Sequence, residues 1–172
     1  MLRVKHLLAR KGYDIWSVEA EEPVLAAIQI MADRHVGALP VLRDGQLVGL
    51  VSERDYARKV ILLGRSSAET EVWQIMSSPV VTVRPEDEIR RCMQVVTEHR
   101  IRHLPVAEGD AIVGVISIGD LVKAVIEDQK VELDQLQRYI ENGCFWRHHL
   151  PPEQLYFKHS NKAYLDDSKA MG

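Results

Sequence analysis

"GLVSERD" at residues 49–55 and "GVISIGD" at residues 114–120 set Gly, two apolar residues, Ser and Asp in one frame, 65 residues apart. The register runs well past the motif. Val18 to Ile61 lies over Val83 to Ile126 without a gap, with 12 of 44 positions identical. Matches include Glu21 with Glu86, Gln29 with Gln94, and "LPV" 39–41 with "LPV" 104–106. A gapless correspondence of that length is an internal repeat.

Each copy reads as strand, helix, strand, strand, helix. Val24, Ala27, Ile28 and Met31 follow the i, i+3, i+4, i+7 spacing of one helix face, and Ile89, Cys92, Met93 and Val96 repeat it. "ALPVL" and "QLVGLVS" read as strands around Arg43-Asp44-Gly45, and "HLPVA" and "AIVGVIS" around Glu108-Gly109-Asp110. The closing helices are "ERDYARKVI" and "IGDLVKAVI". The organisation expected is an N-terminal amphipathic helix and linker (1–14), a first repeat (15–62) and a linker with a short helix around Val72, Ile75 and Met76 (63–79). A second repeat (80–127), a separate helix stopped by Asn142-Gly143 (128–143) and a tail (144–172) follow. One copy of about 45 residues is marginal alone, so the two are expected to share one core.

Composition sets the class. With 46% hydrophobic and 27% charged residues the chain has an ordinary globular balance. A formal charge of -3 does not favour nucleic acid or an anionic membrane, so any anion site must be local. No apolar run approaches the roughly 18 residues of a membrane span. Cys92 and Cys144 are too few for a disulfide framework, and Cys92 falls on an apolar helix face, where a buried free thiol is expected. The cytoplasm is the expected location.

Ser52 followed three residues later by Asp55 at a helix start is a capping-box variant, and Ser117 with Asp120 caps equally well. The same residues admit a binding chemistry. A strand running into a helix N-terminus favours phosphate, a hydroxyl there can donate to it, and a carboxylate one turn in can accept from a ribose diol. The glycine ahead of the apolar pair would let a purine approach the backbone. Capping and binding are compatible.

These residues carry a resemblance. The 65-residue offset, the "LPV" strands and both Gly-apolar-apolar-Ser-x-x-Asp motifs resemble a tandem pair of CBS domains, the Bateman module, from about Val4 to Ile126. "SERDYARKV" and "EHRIRHLPV" resemble small stand-alone bacterial CBS pairs of the signal-transduction type. The resemblance implies an α/β (α+β) fold, with two repeats related by a pseudo-twofold axis forming one globular module. It also implies two clefts between the repeats that take AMP, ATP, NAD or S-adenosylmethionine as regulator, and a homodimer. Asp55 and Asp120 would then hold ribose, with Ser52 and Ser117 near phosphate. Trp16 and Val81 would lie at the adenine, Trp16 by stacking or else packed on its own core, and Pro105 belongs to the adjoining "LPV" strand.

Charge distinguishes the two clefts. Arg100, Arg102 and His103 lie in "HRIRH", a solvated face or a phosphate site; Arg102-His103 resembles the basic pair ahead of the family's "LPV" strand, in reversed order. Gly37-Ala38 stand at the equivalent places in the first copy. The phosphate-selective cleft is therefore expected to combine Arg102 and His103 with Ser117 and Asp120. Arg54, Arg58 and Lys59 would partly compensate in the other cleft.

Catalysis is not expected. Cys144 with His148 and His149 lacks zinc-type spacing and lies outside the repeat, and no Walker-type loop is present. No metal and no required cofactor are expected. The rival reading is a dimerisation scaffold with unoccupied clefts. Aromatic residues at 145, 146, 156, 157 and 164 could dock the tail on a second protomer or an unknown target protein, the alternative being a disordered extension.

Overall fold

The computed structural model describes residues 2–145, so His148, His149 and most of the tail lie outside the described residues. The chain runs α1 (Val4–Lys11), β1 (Val18–Glu19), α2 (Val24–Arg34), β2 (Ala38–Arg43), β3 (Gln46–Ser52), α3 (Glu53–Tyr56), α4 (Ile89–His99), β4 (His103–Glu108), β5 (Ala111–Ser117) and α5 (Ile118–Phe145). A π-helical turn, Ala57–Ile61, extends α3, and a 3-10 turn, Val72–Gln74, sits in the linker. The fold is α+β with two repeats, as expected.

Equivalent positions build equivalent structure. β2 and β3 pair antiparallel from Ala38↔Ser52 to Arg43↔Gln46, and β4 and β5 from His103↔Ser117 to Glu108↔Ala111. Both ladders shift register at the same place, Val41/Leu42 and Val106/Ala107. Asp44 and Gly45, with φ of 52° and 75°, close the first hairpin as the two positive-φ residues of a tight turn. α2 and α4 end on left-handed His35 (φ 53°) and Arg100 (φ 54°), again 65 residues apart. The anticipated stripes face inward: Val24, Ala27, Met31, Ile89, Cys92 and Val96 are buried, while Ile28 and Met93 pack at the margin.

The first strand is less symmetric than expected. β1 pairs parallel with β2, but its counterpart is a single bridge, Val83↔Val106. The Ala20 amide donates to the Leu42 carbonyl at 2.8 Å. Pro85 stands at the matching place and has no N–H to give, so the ladder stops. The C-terminal expectation is also corrected. The closing helix of the second repeat does not give way to a separate helix; α5 is continuous from Ile118 to Phe145 and Asn142-Gly143 does not end it. A single glycine costs a helix only about 1 kcal/mol.

The cores close crosswise. Val4, Leu7 and Leu8 of α1 are buried with Val83, Ile89, Leu104 and Ile116 of the second repeat. Val72 and Ile75 of the linker are buried with Val24, Leu39 and Val51 of the first. The two closing segments are alike: the Val4 amide donates to Asp87 and the Val72 amide to Glu22, and the bridges Arg3↔Glu88 and Pro23↔Glu71 flank them. "VKHLL" and "VWQIM", 68 residues apart, present Val, Leu or Ile, and Leu or Met at matching positions. Each repeat is completed by a segment that lies outside the 65-residue register.

Candidate functional site

Both Ser-x-x-Asp motifs form caps. The Asp55 amide donates to Ser52 Oγ (3.3 Å), and the Ser52 amide and hydroxyl donate to Asp55 Oδ2 (3.1 and 2.6 Å). In the second copy the Asp120 amide donates to Ser117 Oγ (3.2 Å), and the Ser117 amide and hydroxyl donate to Asp120 Oδ2 (2.7 and 2.8 Å). The serine hydroxyl protons are thus engaged by the carboxylates. Asp55 Oδ1 carries an ion pair with Lys59 Nζ at 2.8 Å. Asp120 Oδ2 carries one with Lys11 Nζ at 2.7 Å, and Lys11 also donates to the Val115 carbonyl at 2.9 Å. Asp120 Oδ1 accepts no hydrogen bond among the described residues.

Each motif borders a cavity, of about 370 Å³ at Asp55 and about 380 Å³ at Asp120, both within the usual range for small-molecule sites. Each cavity takes its carboxylate from one repeat and its opposite wall from the other. Asp55 and Ser52 face Arg100, Ile101, Arg102 and His103. Asp120 and Ser117 face His35, Val36, Gly37 and Ala38, the equivalent positions of the first repeat. Such reciprocal pairing is what a twofold relation between repeats produces.

This corrects the expected distribution of charge. Arg102 does not line the Asp120 cavity; it lines the Asp55 cavity together with Arg54, Arg58, Lys59 and Arg100. The basic groups of both repeats converge there instead of balancing across two clefts, and Arg54 Nη1 approaches the Arg100 carbonyl at 3.4 Å. His103 alone of the basic stretch lines both cavities, beside Gly37, where an added Cβ would lie 3.4 Å from its ring. Burial, and next the Lys11 charge, hold the His103 imidazole below its ordinary pKa, so it is neutral near pH 7. Burial also opposes ionisation of Asp120, but the hydrogen bonds from Lys11 and Ser117 outweigh it and hold this carboxyl below its ordinary pKa.

The remaining expectations divide. Trp16 lines the Asp120 cavity and is not packed into its core: it is 37% exposed, ahead of β1, with the Arg34 guanidinium 3.9 Å from its ring centroid. Val81 packs on the second core, and Pro105 is buried in β4 opposite Val115; neither lines these two cavities. The motif glycines serve packing. A Cβ on Gly114 would lie 2.7 Å from Leu8 Cδ2, and one on Gly49 would lie 2.8 Å from Met76 Cγ, so the closing segments occupy the space assigned to a purine. Lys11 was not foreseen, because its partner Asp120 is 109 residues away and no repeat relation connects them. Among the described residues no group of three or more His, Cys, Asp or Glu could hold a metal ion, and no helix is long and apolar enough to cross a membrane.

The family profile described as CBS domain matches residues 4–61 and 72–127, starting at the two closing segments, Val4 and Val72. The chain is 42% identical over 137 residues to the mitochondrial CBS domain-containing protein CBSX3 of Arabidopsis thaliana, covering 77% of this chain and 66% of that one. A solved CBS-domain protein from Burkholderia ambifaria MC40-6, ascribed to signal transduction, is 46% identical with a TM-score of 0.71, covering 74% of this chain and 96% of that one. The CBS pair of protein MJ0100, solved with 5-methylthioadenosine and S-adenosyl-L-methionine, shares the fold at 18% identity and a TM-score of 0.67, covering 74% and 98%. CBS pairs are generally regulatory, ligand-binding modules. With two copies of the profile over the two repeats that the structure builds, the chain belongs to the CBS-domain family.

Proposed function

We propose that this chain is a non-catalytic regulatory module that binds adenosine-containing ligands such as AMP, ATP or NAD in its two cavities. One observation carries the reading: each cavity borders a serine-anchored carboxylate, set against the helix end of the opposite repeat. A fixed carboxylate suits a cis-diol, since it accepts two hydrogen bonds in a geometry that the cap already holds. The adenosine ligands of the MJ0100 pair support the same class. The proposed setting is the cytoplasm, although the Arabidopsis relative is mitochondrial. A homodimer belongs to the proposal, because Ile118, Val122 and Ile126 leave an apolar stripe of 38%, 40% and 59% exposure on α5.

The test is calorimetry and thermal unfolding of the full chain with AMP, ATP and NAD, since a ligand that binds only the native state raises its apparent stability. Asp120→Ala should weaken the binding of adenosine, added as a fourth probe, by about 1.5–3 kcal/mol, the range for hydrogen bonds to charged groups. No response to any of the three nucleotides at millimolar concentration refutes adenosine binding. Protein-dependent nucleotide hydrolysis refutes the non-catalytic part, and a monomer in sedimentation at micromolar concentration refutes the dimer.

A further inference from the structure

The two cavities have similar volumes and opposite formal charge. Around Asp55, five cationic groups (Arg54, Arg58, Lys59, Arg100, Arg102) meet two carboxylates, Asp55 and Glu53, a formal +3 with histidine neutral. Around Asp120, the single ammonium of Lys11 meets two carboxylates, Asp14 and Asp120, a formal -1 on the same count. Lys11 is already held by Asp120 and the Val115 carbonyl. The wall that supplies Arg100 and Arg102 to one cavity supplies His35 and Gly37 to the other.

We infer that the cavities divide ligands by charge: the Asp55 cavity takes a phosphate-bearing nucleotide, and the Asp120 cavity an adenosine derivative that carries no phosphate. The inference rests on the adenosine reading above and adds the ligand class of each site. A polyphosphate brought to the Asp55 cavity replaces the repulsion among clustered guanidinium groups with charge-assisted hydrogen bonds. Brought to the Asp120 cavity it meets Asp14 and a lysine already engaged. An uncharged nucleoside meets no such penalty. It finds Asp120 Oδ1 without a hydrogen-bond donor among the described residues, in a cavity that Trp16 also lines.

The experiment is calorimetry on the full chain with ATP and with adenosine as probes. ATP should fill one site per chain, with an affinity that falls as salt rises. Arg102→Ala, at an exposed position, should weaken ATP at least about tenfold, whereas Asp120→Asn should change it less than about twofold. Adenosine added to ATP-saturated protein should fill one further site. Asp120→Asn, which keeps a capping side chain, and Trp16→Ala, at a partly exposed position, should each remove that second site. ATP filling two sites of similar affinity, or losing as much to Asp120→Asn as to Arg102→Ala, overturns the inference and leaves the adenosine reading standing. Exclusion of adenosine by ATP also overturns it. If neither probe binds the unaltered chain, the adenosine reading falls, and the inference with it.

Discussion

Gly114→Ala should destabilise the protein through Leu8, a residue more than 100 positions away in the chain. The added Cβ would lie 2.7 Å from Leu8 Cδ2 and 3.2 Å from Cδ1, both inside normal contact. Leu8 is 1% exposed and packed in the second core with Val4, Ile89 and Leu104, so it cannot yield without disturbing that core. Overpacking of this kind costs about 1–3 kcal/mol. Leu8→Ala alone should cost about 2–5 kcal/mol from lost burial and the cavity left behind. In the double variant the new methyl enters space that Leu8 has vacated. Gly114 lies in β5 without a positive φ, so alanine has no other backbone cost there. The two losses should therefore fail to add, with a compensating coupling of about 1–3 kcal/mol. Urea unfolding of the four proteins measures it, provided the slopes stay equal. Additivity within about 0.5 kcal/mol would refute the claim that the N-terminal segment completes the second repeat.

The buried Cys92 thiol is pushed up to about 11, by burial first and then by the Asp87 charge; in a Cys144→Ser background it should react with a thiol reagent at pH 8 only as fast as the fold opens, and prompt labelling of native protein would contradict this. The His103 ring should titrate below 6.5 by NMR. Asp120→Asn should lower its midpoint further and Lys11→Met should raise it, while a native midpoint at or above 6.5 would contradict the structure. Because folded His103 binds fewer protons than the unfolded chain near pH 6.5, it removes stability as pH falls through that value. Asp120 acts in a lower window: its depressed pKa gives stability that is present above about pH 4 and lost as pH falls through the folded value. Lys11→Met should raise the Asp120 midpoint, and an unshifted midpoint would show that the ion pair is not formed in solution.

Local pattern was enough for the repeat, the helix stripes, the hairpins and the caps. Each depends on residues within a few positions of one another: Ser52 reaches Asp55, Asp44 and Gly45 turn a two-residue loop, and Val24, Ala27 and Met31 share one face. A gapless 65-residue register also made two equivalent sites legible before any contact was known. Where local chemistry departed from the repeat, the sequence held the reason as well, since Pro85 in place of Ala20 removes the amide that would extend the strand.

What the chain could not declare is which wall faces which carboxylate. Grouping the residues of one repeat at one cleft put Arg102 with Asp120; apposition of the repeats put it with Asp55. The same limit hid Lys11 behind 109 intervening residues, and made Gly49 and Gly114 look like openings for a purine when they accommodate Met76 and Leu8. Periodicity and capping are short-range consequences of backbone geometry, so they are written in neighbouring residues. The charge of a cavity is a sum over side chains that only packing brings within a few ångströms, and Coulomb interactions depend on that separation and not on order along the chain. The sequence alone determined two candidate sites and that their charge differs; the tertiary structure decided which of the two gathers the basic groups.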